Sequence, residues 1–397
     1  LGDIHVLESI YVGMSGLMGY SHGLRVIANN TANLNTPGFK NASLQFADMF
    51  YSNADLPGGD AFGRGQVGYG LTTYSTSMNF RQGELRKTGN DLDLAVDGEG
   101  LFVLRNADGE IHYTRAGQFE FTADGVLVNR MDGSEVMSSD GTGNFTPISF
   151  DHLRTNAAKA TTTITFEGNL PSTTTNAQTV NNIIVHDAAG AEHTLMLSAT
   201  RTDQRWALRL MEGVVTVGTG ELEFADGKPT EASARISITY APAGQPEMPL
   251  VLDFSGEVRS FASGDVSTLS VSEQDGYQAG ALSEIVFDGT GTLVLTYTNK
   301  QTVKGGQIAL ARFDSPDAVA AIGDNQFRSL DDSAWHFGVA DGLTFGVVHS
   351  GEIELSNVDL SQQFSDLVIM QRGYQASSQV VSTANEMLQE LFALKGK

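Results

Sequence analysis

Three groups of residues have the types and spacing to do chemistry. Gly63-Arg64-Gly65-Gln66-Val67-Gly68 satisfies the G-x-G-x-x-G string of a phosphate loop. Such a loop needs a strand before it and a helix N-terminus after it to face the anion. The next stretch, Tyr69 to Tyr74, is rich in Thr and Tyr and reads as strand, so a phosphate site is not expected. Asp91, Asp93 and Asp97-Gly98 hint at a calcium loop, but Ala95 stands at a ligand position and no bidentate acid occurs downstream at the required spacing. A polar turn between strands is the expectation. His186 and His193 straddle the Asp187 to Glu192 turn, where hairpin pairing could join them to Asp187 or Glu192 as a two-histidine site. No third clear ligand is evident, and surface hairpin residues are the favoured reading. H-E-x-x-H and G-x-S-x-G do not occur, and Cys is absent, which removes thiolate nucleophiles, Cys-ligated metals and disulfides together. Asn41-Ala42-Ser43 and Asn144-Phe145-Thr146 match the glycosylation acceptor, a string common by chance. The expectation is a protein that is not an enzyme, with no catalytic residues, no metal and no cofactor.

Composition points the same way. The chain has 397 residues, enough for two or three domains, and carries 24 Lys+Arg against 47 Asp+Glu, a formal charge of −23. Proteins that bind phosphate backbones concentrate basic residues to displace counterions, so nucleic acid is disfavoured, and nothing here attracts an anionic membrane surface. With 41% hydrophobic and 18% charged residues the composition is globular. The 44 glycines against 9 prolines favour many tight turns and hence β architecture. No membrane insertion is expected, because the apolar stretch from Ile10 to Leu24 is broken by Gly13, Gly16, Gly19, Ser21, His22 and Gly23. No cleaved signal is read either: the first 24 residues hold no Lys or Arg and no continuous apolar run.

The elements that must position any function differ between the ends and the middle. Leu7, Ile10, Met14, Leu17 and Leu24 recur at heptad-like intervals, with Ser21 and Ala28 continuing the stripe, which predicts a helix ending around Asn33. Leu360, Leu367, Tyr374, Val381 and Leu388 keep a strict interval of seven. Phe364, Gln371, Ser378, Asn385 and Phe392 stand at companion positions, predicting a long helix that starts near Asn357 and Val358. Stripes this narrow cannot form a core alone, so each helix must pack against the other terminus or against the same helices of neighbouring subunits. Uncharged polar residues such as Ser21, Asn29, Asn30, Gln371, Ser378 and Asn385 could bond across such a seam without burying charge.

Thr36-Pro37-Gly38 stops the first helix: Pro37 fixes φ and Gly38 tolerates a positive one. Residues 41–70 show no sustained periodicity and read as a long irregular connection. From Leu71 to Ser350 short alternating runs between turn signals predict a β body, exemplified by Leu92 to Val96, Ile183 to His186 and Gly291 to Tyr297. A Thr- and Ser-rich stretch at 161–179 and prolines 242, 246 and 249 mark an insertion within it. The fold class expected is mainly β with α-helical termini: paired, coiled-coil-like N- and C-terminal helices carrying nested β domains made from discontinuous segments. The expected domains are 1–33 plus 357–397 as helical core, 34–70 as connecting arm, 71–145 plus 275–356 as inner β domain, and 146–274 as outer insertion.

Four blocks are more specific. Gly13-Met14-Ser15-Gly16-Leu17 with Ile27 through Lys40 resembles the N-terminal signature of the bacterial flagellar rod and hook protein family. Asp91 to Val103 and Tyr113-Thr114-Arg115-Ala116-Gly117-Gln118-Phe119 are similar to two internal blocks. Glu354 to Leu360 with Gln371-Arg372-Gly373-Tyr374-Gln375-Ala376 resembles the C-terminal signature. Ile183 to Leu197, Gln274 to Leu282 and Gly306 to Phe313 resemble the hook members more than the shorter rod members.

The resemblance implies a structural subunit that assembles as a homopolymer into a flexible tube on the cell exterior, a universal joint passing torque from rod to filament. It implies as partners a distal rod protein, a hook cap protein, a hook–filament junction protein and the flagellar type III export apparatus. Leu7, Ile10, Met14, Leu17, Leu24, Asn29, Asn30, Asn33, Leu360, Phe364, Leu367, Gln371, Arg372, Tyr374, Val381 and Leu388 are then expected at the assembly interface. Thr36, Pro37, Gly38 and Phe39 are expected at the turn into the arm. A distal rod protein, or a secreted β-rich adhesin or binding module, is the alternative.

Overall fold

The structure is a computed structural model and describes all residues except 1, 50, 55–64, 141–143, 204 and 396–397. It divides into two compact units, one of residues 1–151, 285–294 and 304–397, the other of 152–284 and 295–303. Architecture is mainly β with one long helix near each end.

In the first unit, α1 spans Gly2–Ala32 and α2 spans Leu360–Lys395. Neither holds a proline, so nothing interrupts either ladder. Asp359 caps α2, its Oδ1 accepting the N–H groups of Ser361 (2.8 Å) and Gln362 (3.2 Å), which satisfies donors that the first turn leaves open. The β body is assembled from both halves of the sequence. Strand Leu101–Arg105 pairs with Ile111–Thr114 and also with Leu310–Phe313, while Gln326–Ser329 pairs with Ile111–Thr114. Val347–Ser350 pairs with Leu94–Asp97, and Glu352–Glu354 with Leu85–Lys87. The discontinuity read from the sequence is therefore in the pairing itself. Its core gathers Leu101, Val103, Met137 and Ala309 around Tyr113 and Trp335, whose rings stack at 3.9 Å.

Residues 41–70 differ from the irregular connection expected. Ala42–Asp48 and Leu71–Met78 form an antiparallel pair, and Tyr51–Ala54 pairs with Gly65–Gly68. A register shift between Gln45 and Phe46 breaks the alternation, and a bulge of this kind erases the period-2 signal by which a strand is read. Phe46 and Leu71 press on Gly19 of α1, where an added Cβ would lie 2.4 Å from Leu71 Cδ1 and 3.1 Å from Phe46 Cε1. Of the glycine string, Gly65 to Gly68 is strand with no helix after it, while Gly63 and Arg64 lie outside the described residues.

The second unit has two five-stranded sheets around one core. One contains Thr163–Asn169, Arg235–Tyr240 and Met248–Asp253, the other Gln178–His186, Glu192–Thr202, Arg205–Glu212 and Val215–Ala225. Inward positions alternate as a half-buried strand requires: Trp206, Leu208 and Leu210 are buried and Ala207 and Arg209 are not. Phe166 stacks on Phe254 at 4.7 Å in the middle.

Candidate assembly surface and the node that anchors it

The seam between α1 and α2 is made largely of glycine. A Cβ on Gly13 would lie 2.7 Å from Val381, one on Gly16 2.5 Å from Ser377 Oγ, and one on Gly373 2.4 Å from the Tyr20 ring. Absence of side chains at these positions lets the helices approach closely. Ile27, Asn30, Gln363 and Ala384 are buried along the same seam, and Asn30 donates to Gln363 Oε1 at 3.0 Å.

This seam is offset from the stripes picked out by spacing. Among the expected interface residues, Val381 packs in it and Asn30 is buried, whereas Ile10, Leu17, Leu24, Asn33, Leu367 and Leu388 are half-buried. Leu7 and Met14 are about half exposed, at 50% and 47%, as is Phe364 at 55%. Leu360, Tyr374, Asn29, Gln371 and Arg372 are also exposed, together with Ser378 and Asn385. The inward companions of Leu367, Val381 and Leu388 are Met370, Ser377 and Ala384, one position before the Gln371, Ser378, Asn385 series. Within one chain the apolar stripe is covered only in part, with Leu7, Met14, Leu360, Phe364 and Tyr374 left exposed. It joins Tyr11, Met18, Val368 and Ile369, exposed apolar residues that lie off the heptad positions.

The helices are tied to the β body at a buried ionic node. Glu354, with a fully buried side chain, accepts Lys40 Nζ at 2.6 Å through Oε1 and Arg115 Nε through Oε2. Glu354 Oε1 also accepts the Gly83 N–H at 2.8 Å. Arg115 Nη1 donates to the main-chain oxygen of Gly100, and Nη2 to those of Val96 (2.6 Å) and Gly98 (2.7 Å). Lys40 gives a further proton to Arg81 O at 2.8 Å. Burial pushes the Lys40 ammonium below its ordinary pKa, while Glu354 opposes that shift. Beside the node, Asn357 accepts from Asn41 N (2.7 Å) and donates to Asn79 O (2.7 Å) and Arg81 O (2.9 Å). Asn30 likewise brackets Ala42, donating to its oxygen at 2.8 Å and accepting its N–H at 3.0 Å. Lys40, Arg115, Glu354 and Asn357 fall inside the family-like blocks, yet spacing assigns them no role; the signal available is that Lys40 is the one charged residue of 27–40 and Arg115 the one of 113–119, whereas Glu354 shares its block with Asp359.

The turn takes the conformation its residues dictate. Gly38 has φ +71°, the Phe39 N–H donates to Thr36 O at 3.3 Å, and a Cβ on Gly38 would lie 2.5 Å from the Ala116 nitrogen. Pro37 O accepts from Asn325 Nδ2 at 2.8 Å.

The other chemical candidates resolve into structural contacts. Asp93 is buried and accepts from Arg130 (3.2 Å) and Asn90 (3.2 Å), so it closes a turn. His193 stands between Asp187 (3.2 Å) and Glu212 (3.3 Å), and its hydrogen bond is the main cause holding Asp187 below the usual carboxylate range. His186 lies 3.7 Å from Glu192 instead. Among the described residues no group of three His, Cys, Asp or Glu is placed to hold a metal, and no helix is long and apolar enough to cross a membrane.

Three family models match the chain: flagella basal body rod protein over residues 10–40, the flagellar hook protein FlgE/F/G D1 domain over 95–179, and the flagellar basal body rod FlgEFG protein C-terminal region over 349–394. The flagellar hook protein FlgE of Salmonella typhimurium is 29% identical over 96% of this chain and 98% of its own length. That of Borreliella burgdorferi is 30% identical over 98% of this chain and its full length. The chain belongs to the flagellar hook protein family. A crystal structure of Helicobacter pylori flagellar hook protein FlgE2 aligns with 66% of the chain and 99% of its own, at 12% identity and a TM-score of 0.49. In this hook-family chain the node joins Lys40 from the first matched segment, Arg115 from the second and Glu354 from the third. The three matched segments, separated in sequence, share one buried carboxylate.

Proposed function

We infer that the chain is a structural subunit of the bacterial flagellar hook, self-assembling into a flexible tube that acts as a universal joint between rod and filament. The observation that carries this is the end-to-end likeness to hook proteins, 30% identity over 98% of the chain and all of the relative. The terminal helices support it: Leu7, Tyr11, Met14, Met18, Phe364, Val368 and Ile369 are exposed apolar residues on two helices, a surface that neighbouring subunits would cover. In this reading residues 1–33 and 357–397 line the inside of the tube and 34–70 act as an arm between subunits. Residues 71–145 with 275–356, and 146–274, build the inner and outer β layers.

The interface residues proposed are those expected from spacing, extended by Tyr11, Met18, Val368 and Ile369 and without Asn30 and Val381, which serve the helix seam within the chain. A distal rod protein at one end, a junction protein at the other, a cap protein over the growing tip and the type III export apparatus are the partners proposed. Electron microscopy of the purified chain, with nuclei supplied, tests the reading. Curved tubes are expected from the full-length chain and none from a chain lacking 1–33 and 357–397. Straight, stiff tubes would point to a rod component, and dispersed monomers from both would sink the assembly reading.

A further inference from the structure

A cavity of about 400 Å³ lies in the first unit beside the ionic node, with Lys40 and Arg115 in its wall. Its apolar wall is Phe80, Phe313 and Leu101, the two phenylalanine rings meeting edge-on at 4.6 Å. Arg81, Arg115 and Arg312 also line it, with Glu99 as the one acid among the lining residues. Arg115 is committed to Glu354 and three main-chain oxygens. The other two are not. Arg81 is exposed and its guanidinium has no ion pair among the described residues. Arg312 Nε is buried without a hydrogen-bond partner among them, and Arg312 Nη1 reaches only a loose contact with Asp314 at 3.6 Å.

Arg312 Nε is the one buried arginine nitrogen left without a partner among the described residues. Acids outnumber bases 47 to 24, and some arginines elsewhere are paired, Arg105 with Glu135 at 2.6 Å, Arg205 with Glu223 at 2.7 Å and Arg235 with Asp253 at 3.0 Å, while Arg86, Arg209 and Arg328, like Arg81, are exposed without an ion pair among the described residues. A buried Nε–H without an acceptor is costly, so a site that leaves one open is completed when an acceptor arrives. Guanidinium forks match carboxylates in shape and charge, and an aromatic wall accommodates the aliphatic stem of an acidic side chain. The abundant carboxylate in the setting proposed above is the surface of the next copy of this chain, at −23 per subunit.

We propose that this cavity is a carboxylate socket, in which Arg81 and Arg312 receive an acidic side chain from a neighbouring copy in the polymer. The proposal rests on the assembly reading. Tubes of the full chain are imaged at a resolution that shows side chains, and the onset concentration for assembly is measured at one fixed salt concentration for wild type, Arg81→Lys and Arg81→Glu. Expected are an Asp or Glu of the neighbouring copy within hydrogen-bond reach of Arg81 or Arg312, and an onset raised about tenfold or more by Arg81→Glu but far less by Arg81→Lys. Unassembled Arg81→Glu should melt where wild type melts, since Arg81 supports no ion pair within the chain. Wild-type tubes whose cavity opens to solvent, or holds only a small anion, would overturn the socket and leave the assembly reading standing, as would an unchanged onset for Arg81→Glu. Absence of wild-type tubes would overturn both.

Discussion

At the scale of single residues, Glu354 does the most. One carboxylate neutralises Lys40 and anchors Arg115, with the side chains of all three nearly or wholly buried. Removing one member of such a set leaves charge in a medium that cannot solvate it. Glu354→Gln keeps the shape and loses the charge, so Lys40 and Arg115 would stay buried with one amide oxygen and the main-chain oxygens as acceptors, and the amide NH2 would face one of the two cations. The expected cost is about 3–5 kcal/mol of unfolding free energy, measured by urea denaturation of the unassembled chain. A change below about 1 kcal/mol would mean that the main-chain oxygens around Arg115 suffice. None of this was legible as an interaction: Lys40, Arg115 and Glu354 are far apart in sequence, and a charge in a motif does not announce its partner. The turn was legible, because Pro37 and Gly38 restrict the backbone through local sterics, and Gly38 has the positive φ that its lack of a Cβ allows.

At the scale of elements, the two helices and the β body were readable from periodicity and turn residues. The face on which the helices meet was not. Heptad reading gives weight to large apolar side chains, whereas this seam is built where side chains are missing, at Gly13, Gly16 and Gly373. The strand Ala42–Asp48 was hidden for a different reason, its bulge at Gln45 and Phe46. Close approach at the seam separates two substitutions of the same size. A Cβ on Gly373 would meet the rigid Tyr20 ring at 2.4 Å, while one on Gly23 would meet the flexible Met370 thioether at 2.8 Å. Overpacking against a ring held between two helices costs about 1–3 kcal/mol, and a methionine can turn aside for much less. Gly373→Ala should therefore part the helices, seen as lost protection of α1 and α2 amides in hydrogen exchange with the β body unchanged. Gly23→Ala should leave that protection as in wild type, and equal behaviour of the two variants would refute the account of the seam.

At the scale of the whole molecule, charge is distributed unevenly along the chain. Residues 1–33 and 357–397 hold six acids and four bases, so nearly all of the −23 belongs to the arm and the β units. Copies packed into a tube would bring near-neutral helices together on one side and strongly acidic surfaces together elsewhere. Like charges at separations near the Debye length, about 10 Å at 0.1 M salt, repel and keep those contacts from closing tightly. A joint that bends once per revolution needs such contacts to slide, and weakly held polar surfaces slide more readily than interdigitated side chains, whose packing resists deformation. Screening should therefore act twice when salt rises from roughly 0.05 M to 0.5 M, where the Debye length falls to about 4 Å. The onset concentration for assembly should fall several-fold, because copies repel less on meeting. Tubes should also become straighter and stiffer, because the acidic contacts close. Persistence length measured on micrographs across the salt series reads the second effect, and light scattering reads the first. An onset that rises with salt would show that attractive ionic contacts between subunits outweigh the net charge. Bending that stays constant while the onset falls would locate flexibility in the helices rather than in the acidic shell.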